Sequence, residues 1–312
     1  MFSVIIPIYN KALYIAKAVQ SVLAQTCQEF ELIVVNDGST DGSLEVVQRF
    51  NGSTVRQFKI INQPNAGVSI ARNNGVKAAQ YDYIAFLDAD DWWEPTFLEE
   101  MKTLIEEFSS AGVYGCEYYI IKNGKKRIAP IGITPTFEKG LINYFKVYVK
   151  TLCMPLWTGA VIIKKSVFEE IKCFKPQLKL GEDFDLWFRI ALKFPVAFLN
   201  KSLAYYNQDV ELQHRAIGGK LYEPSEHMLF SDYGELNNNA DFVFLFERLS
   251  LYSLLPYYLT GKNKKKVDGI LSKIDWMQHE FKYQLYYRIL PKTVIKLWMK
   301  FLKIGAKIKS LL

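Results

Sequence analysis

The sequence predicts an α/β fold, a mostly parallel sheet with helices on both faces, followed by a helical C-terminal extension. Two observations carry this. Through the first 110 residues an apolar strand-like run, a polar loop and a helical stretch alternate four times, the pattern of a parallel sheet covered by crossover helices. From Asp241 onward only helical periodicity remains. Half of the 312 residues are apolar and 15% are aromatic, which makes a globular chain able to bury a sizeable core.

The first strand is read over residues 3–8, a β-branched run closed by Pro7, Tyr9 and Asn10. Ile15, Val19, Val22 and Leu23 then recur at helical spacing. Residues 31–35 make the second strand, ended by NDGSTDGS, where Asp41 is placed to N-cap a helix burying Val46, Val47 and Phe50. A third strand over 58–61 leads into NAGVSIARNNG and a helix to about Ala79, and a fourth over 83–87 leads into a helix over about 96–108. In such sheets ligands bind outside the carboxyl ends of the strands. The polar strand ends, Tyr9-Asn10, Asn36-Asp37, Gln63 to Asn65 and Asp88 to Asp91, are therefore expected to converge on one cleft.

After residue 112 the pattern changes. Residues 113–121 and 127–131 flank the turn KNGK and predict a hairpin. Residues 157–163 read as a strand, followed by a short helix with the capping box Ser166-x-x-Glu169. GEDFDLWFRIALKF predicts a helix from near Glu182, with Phe184, Trp187, Phe188 and Ala191 on its apolar face. Two short strands are predicted over 196–199 and 203–206, and residues 208–240 read as a long polar loop or flap.

The net charge of +7 is uneven: residues 262–312 hold 13 Lys and Arg against 3 Asp and Glu, a net +10 that leaves −3 for the rest. Such asymmetry concerns partners rather than fold. In KTVIKLWMKFLKIGAKIKSLL, Lys296, Lys300, Lys303 and Lys307 form one helical stripe beside an apolar face that includes Trp298. That pattern predicts a helix lying on an anionic membrane surface; a terminal helix packed on its own domain with solvated lysines is the alternative. No nucleic-acid partner is expected. No run approaches the roughly 20 apolar residues of a spanning helix, and MFSVIIPIYN, without a basic n-region or small-residue cleavage site, reads as the first strand. The four cysteines, Cys27, Cys116, Cys153 and Cys173, form no C-x-x-C pair, which suits a reducing cytoplasm and argues against zinc.

The most informative stretch is YIAFLDADDWW, residues 83–93. Carboxylates crowded at the end of a buried strand repel one another and resist burial, so they need a cation or a ligand. A calcium loop of EF-hand type requires glycine at its sixth position, where Trp93 stands. A phosphoaspartyl phosphatase of the haloacid dehalogenase type also opens with D-x-D after an apolar strand. It expects Thr or Val at the fifth position, where Trp92 stands, and an earlier place in the domain. The third reading is a divalent metal, Mn2+ or Mg2+, held by one or two carboxylates and by the phosphates of a ligand. Neither G-x-G-x-x-G after the first strand nor G-x-x-x-x-G-K-[ST] occurs, which disfavours dehydrogenase and P-loop chemistry.

SVIIPIYN, ELIVVNDGSTDGS, NAGVSIARNNG, YIAFLDADDWW and GEDFDLWFR, in this order and spacing, resemble glycosyltransferase family 2 over roughly residues 2–210. The resemblance implies a Rossmann-like GT-A fold and a nucleotide-sugar donor. It implies that Pro7, Tyr9, Asn10 and Asp37 receive the nucleoside, with Asp37 accepting the uracil N3 proton, and that Arg72 approaches the base or diphosphate. Charge alone would have Arg72 bridge to Asp37 or Asp88, and both roles are compatible if the bridge belongs to the empty enzyme. Asp88 is expected at the ribose and the metal, and Asp90 at the metal; Asp91 would hold a metal-bound water or cap the next helix. An inverting transferase needs a base for the acceptor hydroxyl, which the resemblance assigns to Glu182-Asp183, with Asp183 the choice and Glu182 the substitute. Without that role, both acids would merely favour a helix N-terminus. Trp93 and Trp157 either floor an acceptor site by stacking on sugar rings or pack in the core; Trp187 is expected in the core. His214 either meets the diphosphate as the flap closes or is structural.

The expected organisation is a glycosyltransferase domain over 1–210, with a nucleotide half to about 110 and an acceptor half over about 111–210. A flap and a basic amphipathic helical region over 211–312 follow. The expected function is inverting, metal-dependent transfer of a sugar from a UDP-linked donor to a hydroxyl of a glycan or lipid-linked acceptor, in surface polysaccharide or glycolipid assembly. The expected location is the cytoplasm, peripheral on the inner face of the cell membrane. The alternatives are a nucleotide-sugar-binding module without transfer activity and the phosphatase.

Overall fold

The computed structural model describes residues 1–50, 52, 57–210, 221–233 and 238–309, with side chains to residue 300. The chain divides into two compact units, Met1–Gly219 and Lys220–Leu312.

The first unit opens with β1 (Phe2–Ile8), α1 (Ile15–Leu23), β2 (Phe30–Asn36), α2 (Ser43–Gln48), β3 (Phe58–Asn62), α3 (Val68–Ala78) and β4 (Tyr83–Phe86). The strands pair in the order β3-β2-β1-β4, all parallel. β1 and β2 are buried along their whole length, as strands covered on both faces are. Helix α3 lies tight on β1, because a Cβ on Gly75 would stand 2.4 Å from Ile5 Cγ2.

The sheet continues through β5 (Trp92–Trp93), α4 (Phe97–Glu107), β6 (Val113–Lys122), β7 (Lys125–Ile128), β8 (Lys139–Ile142), α5 (Tyr144–Thr151), β9 (Val161–Lys164), α6 (Lys165–Ile171), α7 (Glu182–Lys193) and β10 (Val196–Asn207). Ten strands form one mixed sheet. β9 runs antiparallel to both β4 and β6, and β10 runs parallel to β6. This is the α/β fold that the sequence predicts, and its parallel half coincides with the four repeats. The β6–β7 hairpin turns on Asn123 and Gly124, both at positive φ, as a two-residue turn of this kind requires.

Four local expectations fail. Residues Thr158–Ala160 are a short 3-10 turn instead of strand; the Gly159 carbonyl accepts the Trp93 indole N–H there. Ser166 lies inside α6, which follows directly on β9 with Lys164 at the N-cap and no side-chain cap, so the capping box does not form. The two predicted strands near residue 200 are one strand, β10, with register shifts between Leu199 and Ala204. Gly42, at φ 87, takes the N-cap position of α2, while Asp41 accepts the N–H groups of Ser43 and, from the loop after β1, Ala12.

The second unit contains α8 (Ala240–Ser253), α9 (Leu255–Thr260), α10 (Lys264–Leu271), α11 (Phe281–Gln284), a π-helical turn over Leu285–Ile289, and α12 (Lys292–Lys309). Phe242, Leu245, Leu254 and Val267 are among its buried residues. Among the described residues no helix is long and apolar enough to cross a membrane.

Candidate active site

The cleft opens because β1 and β4 stop pairing. Ile5 faces Phe86, and its carbonyl accepts the Leu87 N–H. The next bond of that ladder would need an N–H from Pro7, which has none. The chain after Leu87 is thereby released into Asp88-Ala89-Asp90-Asp91. Pro7 is itself buried and shapes the cleft at the point where the ladder ends. Tyr9, next along, is 49% exposed at the mouth.

The loops beyond β1 and β2 are stitched together. Asn10, at φ 52, donates its N–H to Ser39 Oγ and accepts the Thr40 N–H. The Lys11 N–H donates to Ser43 Oγ at 2.8 Å. Asp37 is 3% exposed, and its carboxylate accepts Gln63 Nε2 and the N–H groups of Ala66 and Gly67 at 2.7–2.9 Å. Three of its roughly four acceptor positions are thus taken, which ties the second loop to the third and leaves one acceptor position on Oδ2.

In Arg72-Asn73-Asn74 of α3 each side chain has a different task. Asn74 donates to Gln63. Asn73 grips the backbone of Phe174 through both its amide groups. Arg72, 4% exposed, donates to Asp88 at 2.7 Å and to Glu182 at 3.2 Å. It thereby joins the D-x-D loop to the E-D turn, and Asp88 with Glu182, rather than Asp37, is its partner. Its Nε is buried with no partner among the described residues.

The aspartates of the D-x-D-D run differ in their surroundings. Asp88 is the most open, at 25% side-chain exposure. Asp90 holds the Lys11 ammonium at 2.5 Å; burial raises its pKa, Lys11 opposes this, and Asp88 adds to the rise. Asp91, 3% exposed, accepts the Asn207 N–H at 2.8 Å and the Trp157 indole N–H at 3.1 Å. Burial and then the charges of Asp90 and Asp88 push it well above the usual carboxylate range. Asp91 therefore braces the loop against β10 and Trp157 and does not cap α4.

Helix α7 begins at Gly181, whose φ of 77 is a conformation glycine adopts at little cost. Glu182 and Asp183 follow in its first turn. Burial, then the neighbouring Glu182 charge, pushes Asp183 up to about 7; Arg72 acts in the opposite direction. A carboxyl titrating near neutrality suits a general base. Asp185, fully buried, is held by Lys175 at 2.7 Å and Arg189 at 2.8 Å, and Arg189 also donates to the carbonyls of Ile171, Lys172 and Cys173.

One expectation about the aromatics changes. Trp93 is 3% exposed, its ring 4.2 Å from Phe97 and its indole N–H on Gly159, so it belongs to the core and offers no face to a sugar. Trp157 remains half-buried beside Tyr206 and Tyr118. Trp187 is fully buried, as expected. His214 lies outside the described residues. Sequence reasoning missed Lys11 and Asp185; the lysine directly after P-x-Y-N was the available signal for the first, and the i,i+4 pair Asp185–Arg189 for the second.

A divalent cation is implied by the motif. Asp88 and Asp90 offer partly exposed carboxylate oxygens that already face cationic side chains, a hard-oxygen donor set that fits Mg2+ or Mn2+ with phosphates completing the shell. Among the described residues no cluster of three or more His, Cys, Asp and Glu forms a cage by itself.

A parallel sheet with an acidic cleft at its strand ends, extended by antiparallel strands, defines a chain of the GT-A class. The structure of S. aureus TarS 1–349 in complex with UDP-GlcNAc has this fold, with a TM-score of 0.67 at 19% identity over 92% of this chain and 81% of that one. So does the mannosyltransferase PcManGT from Pyrobaculum calidifontis in complex with GDP-Man and Mn2+, at 0.50 and 16% identity over 68% of this chain and 58% of that one. The Glycosyl transferase family 2 model matches residues 3–172, and the chain belongs to this family. An uncharacterized glycosyltransferase of Rickettsia felis is 32% identical over 204 residues, 64% of this chain. The match spans 32% of that relative's length.

Proposed function

We propose that the first unit is an inverting glycosyltransferase that moves a sugar from a nucleoside diphosphate donor, UDP-linked, to a hydroxyl of a glycan or lipid-linked acceptor in surface polysaccharide or glycolipid assembly. The carrying observation is the Arg72 bridge, which sets the Asp88 loop and the Glu182-Asp183 turn against each other across one guanidinium. In this reading Asp37 and Tyr9 receive the base, Asn10 fixes the loop beside them, and Asp88 and Asp90 hold the cation. The cation, when bound, neutralises the departing diphosphate. Asp183 takes the proton of the attacking hydroxyl, and Glu182 keeps it raised. Arg72 meets the diphosphate from its place between Asp88 and Glu182, while Trp157 lines the acceptor side. The UDP-GlcNAc complex of TarS, which shares the fold, supports the choice of donor.

Incubation with UDP-sugars and Mn2+ tests this. Slow donor hydrolysis, rising with a hydroxyl acceptor, is expected. Tight UDP binding with no hydrolysis would favour a binding module, and phosphate trapped on Asp88 without nucleotide would favour a phosphatase.

The second unit is read as the membrane-facing part, which would keep the protein peripheral on the inner, cytoplasmic face of the cell membrane. Helix α12 buries Ile295 but leaves Val294, Leu297 and Trp298 about half exposed beside Lys296 and Lys300, an apolar face flanked by lysines. Exposed Phe281 and Ile289 add to the apolar surface of the unit. The protein is expected to sediment with anionic vesicles, less so at high salt, and the pair Leu297→Glu and Trp298→Glu should release it. Equal sedimentation with neutral vesicles sinks the idea.

A further inference from the structure

We infer that Lys11 is an exchange group: its ammonium neutralises Asp90 in the ligand-free protein and passes to the donor diphosphate when a divalent cation takes that carboxylate. This rests on reading Asp90 as a metal ligand. Lys11 Nζ stands 2.5 Å from Asp90 Oδ2, with only 15% and 19% of the two side chains exposed. An ammonium and a divalent cation repel, so they cannot share that oxygen at contact distance.

The backbone decides which of them moves. The Lys11 N–H is fixed on Ser43 Oγ, and the N–H groups of Asn10 and Ala12 are fixed on Ser39 and Asp41. The residue cannot leave, but its four-carbon stem can swing. Arg72 has no such freedom: its guanidinium is buried between Asp88 and Glu182. Of the two cations at the D-x-D loop, Lys11 is therefore the removable one. A diphosphate arriving beside the cation offers the displaced ammonium new oxygens, and lysine serves there as a mobile point charge. Metal alone must break the Lys11–Asp90 pair, whereas metal with donor also brings phosphate oxygens to the displaced ammonium. The two ligands should then bind cooperatively, each raising the affinity for the other.

Isothermal titration of Mn2+ alone, and of UDP with and without Mn2+, on the full chain and on Lys11→Met tests this. Lys11→Met should bind Mn2+ alone about tenfold or more tightly than the wild type and UDP in the presence of Mn2+ about tenfold more weakly, the scale of one charge-assisted hydrogen bond. Lys11→Arg should retain the wild-type cooperativity between Mn2+ and UDP. If Lys11→Met does not fold, Lys11→Gln carries the same expectations. Mn2+-dependent UDP binding in the wild type, together with unchanged Mn2+ affinity in a folded uncharged variant, overturns the exchange alone. Wild-type UDP affinity that ignores Mn2+ overturns the metal reading and the exchange with it.

Discussion

The two acidic clusters of the cleft, Asp88-Asp90-Asp91 and Glu182-Asp183-Asp185, share one arginine and much of their composition, yet each divides its carboxylates in the same way. In both, the innermost aspartate has charged or N–H donors on both oxygens and no solvent: Asp91 on Asn207 and Trp157, Asp185 on Lys175 and Arg189. In both, a neighbouring aspartate is held more loosely. Asp90 has a lysine that can leave, and Asp183 accepts the N–H of the next residue, Phe184. A buried carboxylate with a donor on each oxygen is fixed structure; one whose partner can leave, or whose only neighbour donor is local, is available for chemistry. What separates the two kinds is partner count, which residue type does not reveal.

The largest effect expected from this contrast is at Asp90. Asp90→Ala should abolish turnover and the Mn2+-dependent part of UDP affinity while the far-ultraviolet circular dichroism stays that of the wild type. UDP affinity with its Mn2+ dependence intact would break the division between fixed and available carboxylates.

Asp183 comes next. Asp183→Asn should keep UDP-sugar affinity within a few-fold and lower kcat by ~10²–10⁴, the usual scale for losing a general base. Because burial and Glu182 push Asp183 up to about 7, the wild-type rate should climb with pH through that value and then level. The same shift has a stability consequence of definite sign. Between the ordinary value of 3.8 and about 7 the folded chain binds more protons than the unfolded one, so this group's contribution to stability falls as pH rises through that window. Asp183→Asn should therefore raise the melting temperature at pH 8 relative to its effect at pH 4. An active Asp183→Asn beside a dead Glu182→Gln would reverse the two roles.

Asp185 should behave oppositely. Asp185→Ala leaves Lys175 and Arg189 without their shared acceptor, and breaking a buried ion pair from one side costs about 3–5 kcal/mol. Urea unfolding at pH 8 should show that loss, where Asp183→Asn shows a gain. Two aspartates two residues apart would then shift stability in opposite directions.

The sequence made the parallel half of the fold legible, because strands buried on both faces read as unbroken apolar runs and their loops carry polar clusters in order. Arg72, Asp88 and Glu182, drawn from three separate motifs, come together in one bridge. The structure adds what local pattern cannot carry. Trp93 is buried because Gly159, 66 residues away, accepts its N–H. β10 is one strand because pairing with β6 spans the irregular step at residues 199–204. Lys11 reaches Asp90 across 79 residues because parallel strands bring their ends together. Each of these depends on register between distant segments, and periodicity within a window of residues holds no record of it.

The smallest effect expected tests the contrast within a single motif. Asp91 stands next to Asp90, and composition alone would give both the same role. Its oxygens accept one backbone N–H and one indole N–H, and the residue is 3% exposed. Asp91→Asn keeps the shape and one acceptor, while its amide NH2 confronts the remaining donor. One mismatched buried hydrogen bond costs about 1–3 kcal/mol, so a modest loss in urea midpoint is expected. Burial and two like charges already raise Asp91, and removing its charge relieves that strain and brings the loss toward the lower end. UDP affinity, its Mn2+ dependence and kcat should stay within a few-fold of the wild type, in contrast with the dead Asp90→Ala. If Asp91→Asn folds normally and still loses Mn2+-dependent binding, Asp91 belongs with Asp90 among the ligands, and full partnering of a buried carboxylate no longer marks it as structural in this chain.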